Sequence, residues 1–168
     1  MNVSTRLLYY QIYDAKTSVN AEDFMKKCID FFPVTNITHV LTDNGPEFTN
    51  RLIISKKGKK CTTPSKMDVV CADNDIEHRL IKPYTPQTNG MVEKVNDTIK
   101  KGTIKKYQYD NLEEMKNDLT EFLIFYNLYR RHGGVRKELQ VKTPFNAMET
   151  WYQMSPEIFK ETPENFKL

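Results

Sequence analysis

The sequence predicts an α/β fold in which a small mixed sheet is flanked by helices. Its 168 residues fit one ordinary domain with a core of its own. Hydrophobic residues make up 39% of the chain and include nine Phe and nine Tyr, enough to fill that core. Short apolar segments with the composition of strands alternate with segments in which apolar residues recur at helical spacing. This alternation is typical of a sheet covered by helices.

Three segments have the composition of strands. Residues 6–13 are rich in aromatic and aliphatic side chains, and residues 37–41 and 77–81 form two further short apolar runs. Residues 55–66 are polar and basic, which predicts a loop between the second and third strands. A three-stranded sheet is thin for a chain of this length, so we expect the first strand of the fold to be truncated ahead of residue 2.

The remaining segments predict helices. Asn20 and Asn111 are the expected N-caps of two of them, and Pro33 ends the first. Further helices are expected over residues 67–75, 91–109 and 143–152. Residues 1–153 are expected to form the domain, and residues 154–168 a charged C-terminal tail. The apolar side chains expected to face the core are Phe24, Cys28, Phe31 and Phe32, then Val92, Val95 and Ile99, then Leu112, Met115, Leu119, Phe122, Leu123 and Tyr126.

Charge and cysteine usage narrow the class of protein only a little. The net charge of +3 permits nucleic-acid binding without arguing for it. Three cysteines, none of them spaced as C-x-x-C, predict reduced thiols. No apolar run approaches the roughly 18 residues of a membrane span, and the first residues lack a signal peptide's apolar segment. We therefore expect a cytoplasmic protein with no membrane partner.

Asp43 and Glu93 stand out because of their local chemistry. Asp43 follows the second strand, and α/β sheets place ligand-facing groups at the carboxyl ends of their strands. Asp43-Asn44-Gly45 is also an ordinary turn sequence. An acid in the first turn of a helix, as at Glu93, is favoured by the helix dipole whatever its function. The loop before it, residues 85–90, carries short hydrogen-bonding side chains that can hold a ligand backbone. These residues alone leave both the structural and the functional interpretation open.

Three ordered blocks resemble the catalytic core of retroviral-type integrases in the DDE superfamily, with the closest likeness to bacterial insertion-sequence transposases. They are LTDNGPEFTN at 41–50, IEHRLIKPYTPQTNGMVEKVN at 76–96, and Tyr126-Asn127 with Arg130 and His132, followed by Thr143-Pro144. The block at 76–96 is the most specific, and the resemblance spans about residues 2–150. It implies an RNase H-like fold and the transfer of polynucleotide strands.

The resemblance also implies a metal site. In that family two Asp and one Glu hold two divalent ions, normally Mg²⁺, which activate the attacking oxygen and stabilise the leaving one. Mg²⁺ prefers hard oxygen ligands and takes few carboxylates, which leaves room for phosphate oxygens. By motif match, Asp43 and Glu93 are the second and third acids and the expected ligands of Mg²⁺ or Mn²⁺.

The position of the first acid is degraded. In the family this Asp ends the first strand and is followed a few residues later by Ser/Thr-Arg, which places Asn2 at its position here. Asn offers one neutral oxygen where two anionic ones should bridge two cations, so activity is expected to be weak. Asp14 is a poor substitute, because the second strand should end at the opposite edge of the sheet. Three explanations stay open: a decayed or shortened reading frame, an excised core, and a protein that binds DNA without cutting it.

The long helix and the loop before it are expected to lie along DNA. Lysines follow Glu93 on this helix, and Asn96 and Lys100 share its face, which suits contacts to phosphate. A solvated lysine-rich helix is the alternative. His78 and His132 are expected to be structural hydrogen-bonding residues. The residues expected to contact DNA are Asn44, Tyr84, Gln87, Thr88, Asn89, Lys94, Asn96, Lys100 and Lys101.

These features favour a DNA integrase or transposase catalytic core that cleaves and joins strands with Mg²⁺ during transposition or integration, impaired at Asn2. The alternatives are a catalytically inactive DNA-binding or interaction protein derived from a transposase, and a structure-selective nuclease that hydrolyses without joining. DNA is the expected partner, and a homodimer or higher multimer the expected assembly. A separate domain for recognising element ends is expected to be missing from this chain, and the expected location is the bacterial cytoplasm, at the nucleoid.

Overall fold

The computed structural model describes residues 1–34, 36–54, 56, 58–82 and 90–166. The chain forms two compact units. The sheet unit comprises Tyr13–Phe32 and Asn36–Gly90, and the helical unit comprises Met1–Ile12, Pro33–Thr35 and Met91–Leu168. Each unit has its own cluster of buried apolar side chains. None of the helices in the described part of the chain is long and apolar enough to cross a membrane.

The sheet unit contains a parallel strand pair joined through a helix. Its elements are α1 (Ser18–Phe31), β1 (His39–Thr42), α2 (Lys66–Asp73) and β2 (Glu77–Leu80). β1 and β2 pair in parallel, with His39 opposite Glu77 and Thr42 opposite Leu80. The two predicted strands and the helix between them are therefore confirmed, with ends shifted by one or two residues. The buried core of this unit consists of Met25, Met67, Val70, Cys71 and Ile76.

The first helix begins earlier than predicted. Thr17, not Asn20, is its N-cap: the Thr17 hydroxyl accepts a hydrogen bond from the Asn20 backbone N–H at 3.2 Å. The cap therefore lies three residues before the expected one, and it satisfies a backbone N–H of the first turn that has no partner within the helix. The most buried residues of the helix are Ala21 and Met25, rather than the expected phenylalanines within it.

The described residues of the helical unit form four α-helices. They are α3 (Gly90–Gly102), α4 (Leu112–Leu128), α5 (Gly133–Leu139) and α6 (Pro144–Met154), followed by 3₁₀ turns at Pro156–Ile158 and Pro163–Asn165. Asn111 caps α4 as predicted, accepting from the Glu114 N–H at 2.9 Å. Leu112, expected to be buried, is 54% exposed at the first position of the helix, although it lies seven residues before the buried Leu119 and so on the same face. α5 was not predicted. The buried core consists of Leu8, Val95, Leu123 and Tyr126.

The predicted strand over residues 6–13 is wrong. This segment adopts no strand, and the polar groups of Leu8 bond to a side chain instead of a neighbouring strand. The Asn127 amide accepts from the Leu8 N–H at 2.8 Å and donates to the Leu8 carbonyl at 2.9 Å. The sheet of the described residues therefore has two strands, both parallel, and not the three strands of a mixed sheet.

The long third helix is shorter than predicted. It ends at Gly102, whereas the apolar and lysine pattern predicted helix to residue 109. A Cβ built on Gly102 would overlap the Phe122 ring, with Cδ2 and Cζ both at 2.9 Å. Thr103, fully buried, donates its hydroxyl to the Ile99 carbonyl at 2.7 Å and covers the helix end. The helix therefore stops where it packs closely against α4.

Segments on either side of the helices also join this unit. Val34 and Phe159 form an antiparallel bridge, and the Lys160 N–H donates to the Pro33 carbonyl at 2.9 Å. The Tyr152 and Phe159 rings meet edge to face, with their centroids 5.4 Å apart.

Candidate catalytic and nucleic-acid site

Asp43 lies directly after β1 and is exposed. Its Oδ1 accepts from the Gly45 N–H at 2.9 Å, so the predicted turn is present and the carboxylate stands on it. The neighbouring Asn44 amide donates to the Ile81 carbonyl at 3.2 Å, which ties together the chain segments that follow β1 and β2. The turn and ligand-site interpretations of this tripeptide are therefore compatible, because the turn is what presents the carboxylate.

A buried polar network fixes the strand end just before Asp43. The Thr42 hydroxyl and His78 Nε2 are 2.8 Å apart, and His78 Nδ1 is 2.8 Å from Asp68 Oδ1. The His78 side chain is only 1% exposed. Arg51 donates to the His78 carbonyl at 3.1 Å and also pairs with Asp68. The expectation that His78 is a structural hydrogen-bonding residue is confirmed.

This network stabilises the ionised form of the Asp68 carboxyl group. Burial alone raises the pKa of its carboxyl, but hydrogen bonds from His78 and Ser65 and the charge of Arg51 outweigh that effect and leave the pKa lowered. Asp68 also completes a capping box with Ser65 at the start of α2. The S-x-x-D spacing could have revealed this cap from the sequence, but not the contact with His78.

The turn after Asp43 has no room for a side chain at Gly45. A Cβ there would lie 2.5 Å from Glu47 Oε2. Glu47 is buried and pairs with Lys16 Nζ at 3.0 Å. The sequence did not single out Glu47 or Lys16; the Glu47 carboxylate packs against the turn that carries Asp43, and the Lys16 side chain is exposed.

Glu93 lies on the first turn of α3 and is exposed. Asn96 and Lys100, three and seven residues further on, are exposed as well, so one solvent-facing side of the helix carries all three. Lys101 pairs with Asp97 at 2.7 Å, and Lys105 approaches the same carboxylate at 3.8 Å. Lys100 makes no ion pair with a described acid.

Asn2 caps a local turn. Its Oδ1 accepts from the Ser4 N–H at 3.0 Å, the Thr5 N–H at 2.9 Å and the Thr5 hydroxyl at 3.0 Å. Its backbone N–H donates to the Leu7 carbonyl at 2.8 Å. The one side-chain oxygen at this position is already saturated by donors, in addition to being neutral.

The expected site residues fall in different parts of the structure. Asp43 and Asn44 belong to the sheet unit, whereas Asn2, Glu93, Lys94, Asn96, Lys100 and Lys101 belong to the helical unit. Tyr84, Gln87, Thr88 and Asn89 lie outside the described residues. Within the described ranges, no three His, Cys, Asp or Glu side chains gather as a metal-ligand group.

The third block forms a packed cluster. The Tyr126 hydroxyl and His132 Nε2 are 2.6 Å apart, and the Arg130 guanidinium lies 5.3 Å from the centre of the Tyr126 ring. Burial, and then the charges of Arg130, Arg6 and Lys94, lower the pKa of His132 to about 4, so the imidazole is neutral near pH 7. The expected structural role of His132 is confirmed. The sequence did not indicate that Arg6 lies near this cluster, because no local pattern predicts the approach of residue 6 to residues 126–132.

Comparison with known proteins agrees with this architecture. The integrase core domain family matches residues 74–144. The integrase-like ORF3 protein of Spiroplasma virus SpV1-C74 is 31% identical over 149 residues, which cover 87% of this chain and 40% of that protein. An uncharacterised 39.2 kDa protein of insertion element IS476 from Xanthomonas euvesicatoria is 28% identical over 95 residues, covering 56% of this chain and 23% of that protein. The chain thus spans less than half the length of these relatives.

Solved structures match the fold over a larger share of the chain. The catalytic core domain of BIV integrase superposes with a TM-score of 0.62 at 22% identity, covering 89% of this chain and 83% of that one. A simian T-cell lymphotropic virus intasome in complex with PP2A regulatory subunit B56 gamma matches with a TM-score of 0.58, also at 22% identity, over 80% of this chain and 41% of that one. At this identity the two structures establish the RNase H-like integrase-core fold alone. Together with the sequence matches, they confirm the predicted resemblance to the integrase/transposase core family.

Proposed function

We propose that this chain is the catalytic core of an integrase or transposase that cleaves and joins DNA strands with a divalent metal ion, and that Asn2 weakens it. One observation carries the proposal: within an integrase-core fold, Asp43 directly follows a strand and Glu93 lies in the first turn of a helix, each as an exposed carboxylate. These are the positions that the motif blocks give to the second and third acids of the family site.

Two of the three expected ligands suit a divalent ion. Asp43 and Glu93 provide hard carboxylate oxygens open to solvent, which is what Mg²⁺ or Mn²⁺ requires. Asn2 does not suit it, because its single oxygen is neutral and already accepts three hydrogen bonds. When bound, such ions lower the pKa of an attacking water or hydroxyl and stabilise charge on the leaving oxygen.

Residues near the two carboxylates would position them and bind the DNA backbone. The Thr42–His78–Asp68 network holds the end of β1 in place, and the Asp43–Gly45 turn presents the carboxylate on it. On α3, Asn96 and Lys100 extend the face of Glu93 and are suited to bind the phosphates that flank a scissile bond. The proposed partner is DNA, and the likeness to an intasome supports action as a multimer.

Asn2 favours a second candidate, a catalytically inactive DNA-binding protein on the same core. Loss of one anionic ligand removes charge that would hold the metal, while the DNA-binding face of α3 does not depend on it. The two candidates differ in a single measurable property, which is whether the chain breaks phosphodiester bonds.

The test compares DNA nicking and strand transfer by the unaltered chain and by Asn2→Asp in Mg²⁺ and in Mn²⁺. Asp keeps the hydrogen-bond acceptor that caps the turn, so the fold should be preserved while one charge is added. We expect Asn2→Asp to raise activity by at least about tenfold, which corresponds to about 1.4 kcal/mol of transition-state stabilisation. When Asp43→Asn or Glu93→Gln is added to Asn2→Asp, the activity should fall to the level of a control without protein.

Asp14→Asn is the matched control, because Asp14 is an exposed acid of the sheet unit that the proposal does not use. It should leave activity unchanged. If the unaltered chain cuts as fast as Asn2→Asp, the interpretation of Asn2 is wrong. If neither cuts or joins DNA, the inactive DNA-binding protein is the correct assignment.

A further inference from the structure

A second basic site lies within the helical unit, apart from the proposed acids. A cavity of about 300 Å³ opens between α3, the end of α4 and the start of α5. Its walls carry the side chains of Arg6, Lys94, Arg130 and Arg131. None of the described residues that line it is acidic. Four cations therefore share one small cavity.

Little in the described structure neutralises this charge. Glu138 pairs with Arg6, with its Oε1 3.8 Å from Arg6 Nη2, but the Glu138 side chain is 58% exposed. Lys94, Arg130 and Arg131 form no ion pair with any acid in the described ranges. Like charges held this close repel one another, so an anion in the cavity would stabilise the arrangement.

The backbone is shaped to bring Arg6 to this cavity. Arg6 has a φ of 64°, in the left-handed region that a non-glycine residue adopts at a cost in free energy. A Cβ on Gly134 would lie 3.2 Å from Arg6 Nε, so this glycine leaves room for the guanidinium. The Arg6 side chain is only 12% exposed. The guanidinium is therefore held in place by local structure.

The chemistry of the lining identifies the class of anion. Arginine side chains offer paired N–H donors that match the oxygens of a phosphate, and lysine adds a point charge. Met91, Val95 and Thr98 line the same cavity and offer apolar and hydroxyl contacts suited to a sugar. The volume suits one nucleotide unit and not a duplex, since ligand pockets of about 300 Å³ are at the small end of the usual range.

We propose that this cavity binds a phosphate group of a nucleic-acid strand. This proposal rests on the proposed function in one respect, which is that the chain binds DNA. It assigns Lys94 to this cavity instead of to the helix face shared by Glu93 and Lys100. The pKa of His132 is lowered in part by the charges of Arg130, Arg6 and Lys94, which is consistent with these cations lining one cavity.

Binding is measured by fluorescence anisotropy with labelled single-stranded and duplex DNA, in EDTA and over a series of NaCl concentrations. The pocket variant is Lys94→Gln with Arg131→Gln, because both side chains are exposed and outside the apolar core. The charge-matched control is Lys116→Gln with Lys137→Gln, two exposed lysines outside the cavity. We expect the pocket variant to lose about tenfold in affinity and the slope of log affinity against log salt to become shallower by about 1.

A competition arm separates the sources of phosphate. Amide chemical shifts of the cavity residues are followed during titration with inorganic phosphate, and then with unlabelled DNA. Displacement of inorganic phosphate by DNA, together with a control variant that binds normally, supports the proposal. Equal loss in both variants, or a cavity that holds inorganic phosphate without competition from DNA, overturns it. Because EDTA removes any metal-dependent step, a chain that binds in this way but never cuts counts only against the proposed function.

Discussion

Two asparagines show how the same residue type serves different ends in this chain. The Asn2 amide oxygen closes a turn by accepting from Ser4 and Thr5. The Asn127 amide is fully buried and bonds to both polar groups of Leu8. In the first case the local sequence is enough to create the turn. In the second, an amide on α4 satisfies backbone groups that a neighbouring strand would otherwise have satisfied.

Asn127→Ala is expected to destabilise the protein strongly. It leaves the N–H and the carbonyl of Leu8 buried and unpaired, at a cost of about 1 to 3 kcal/mol for each group that stays dry. We therefore expect the free energy of unfolding to fall by about 2 to 4 kcal/mol in urea titrations. Asn117→Ala, an exposed change on the same helix, should cost less than about 0.5 kcal/mol. Equal effects of the two changes would mean that the Asn127 contacts contribute nothing.

At the scale of elements, the sequence predicted best where the signal is local. The cap of α4, the start of α6, and the strands before Asp43 and after α2 follow from side chains within a few residues of each other. The prediction of a strand over residues 6–13 was wrong. Apolar and aromatic composition indicates that a segment is buried, but it does not show which group bonds to its backbone. Here the backbone of Leu8 bonds to the Asn127 side chain instead of to another strand. α3 was predicted too long because the approach of Phe122 to Gly102 is a tertiary contact.

The packing of α3 against α4 can be tested at Gly102. Gly102→Ala gains up to about 1 kcal/mol of helix propensity, but the added Cβ overlaps the Phe122 ring, and overpacking of this kind costs about 1 to 3 kcal/mol. We expect a net loss of stability, measured as a lower midpoint of thermal unfolding. A Cβ on Gly90, at the other end of the helix, meets no atom of the described residues within 4 Å, so Gly90→Ala should be neutral or slightly stabilising. Stabilisation by both changes would show that Phe122 moves aside without cost.

For the whole molecule, the motif blocks predicted the family and the fold more fully than the site. The blocks around Asp43 and Glu93 are short and local, and both acids lie at element ends as expected. The cavity lined by Arg6, Lys94 and Arg130 could not be predicted, because it joins three segments that are far apart in the chain. The clustering of basic side chains in this cavity could not be predicted from the net charge either, since 25 basic and 22 acidic residues give a net charge of only +3.

That small net charge limits how DNA binding can depend on salt. Binding should come from a few local cations on α3 and in the cavity, not from the field of the whole protein. Contacts with two to four phosphates predict a slope of log affinity against log salt of about −2 to −4 on duplex DNA. Affinity should then fall by roughly 10- to 150-fold between 50 and 200 mM NaCl. Anisotropy titrations in EDTA measure this slope directly. A slope steeper than about −6 would require more phosphate contacts than these two surfaces provide, and would show that DNA also binds elsewhere on the protein.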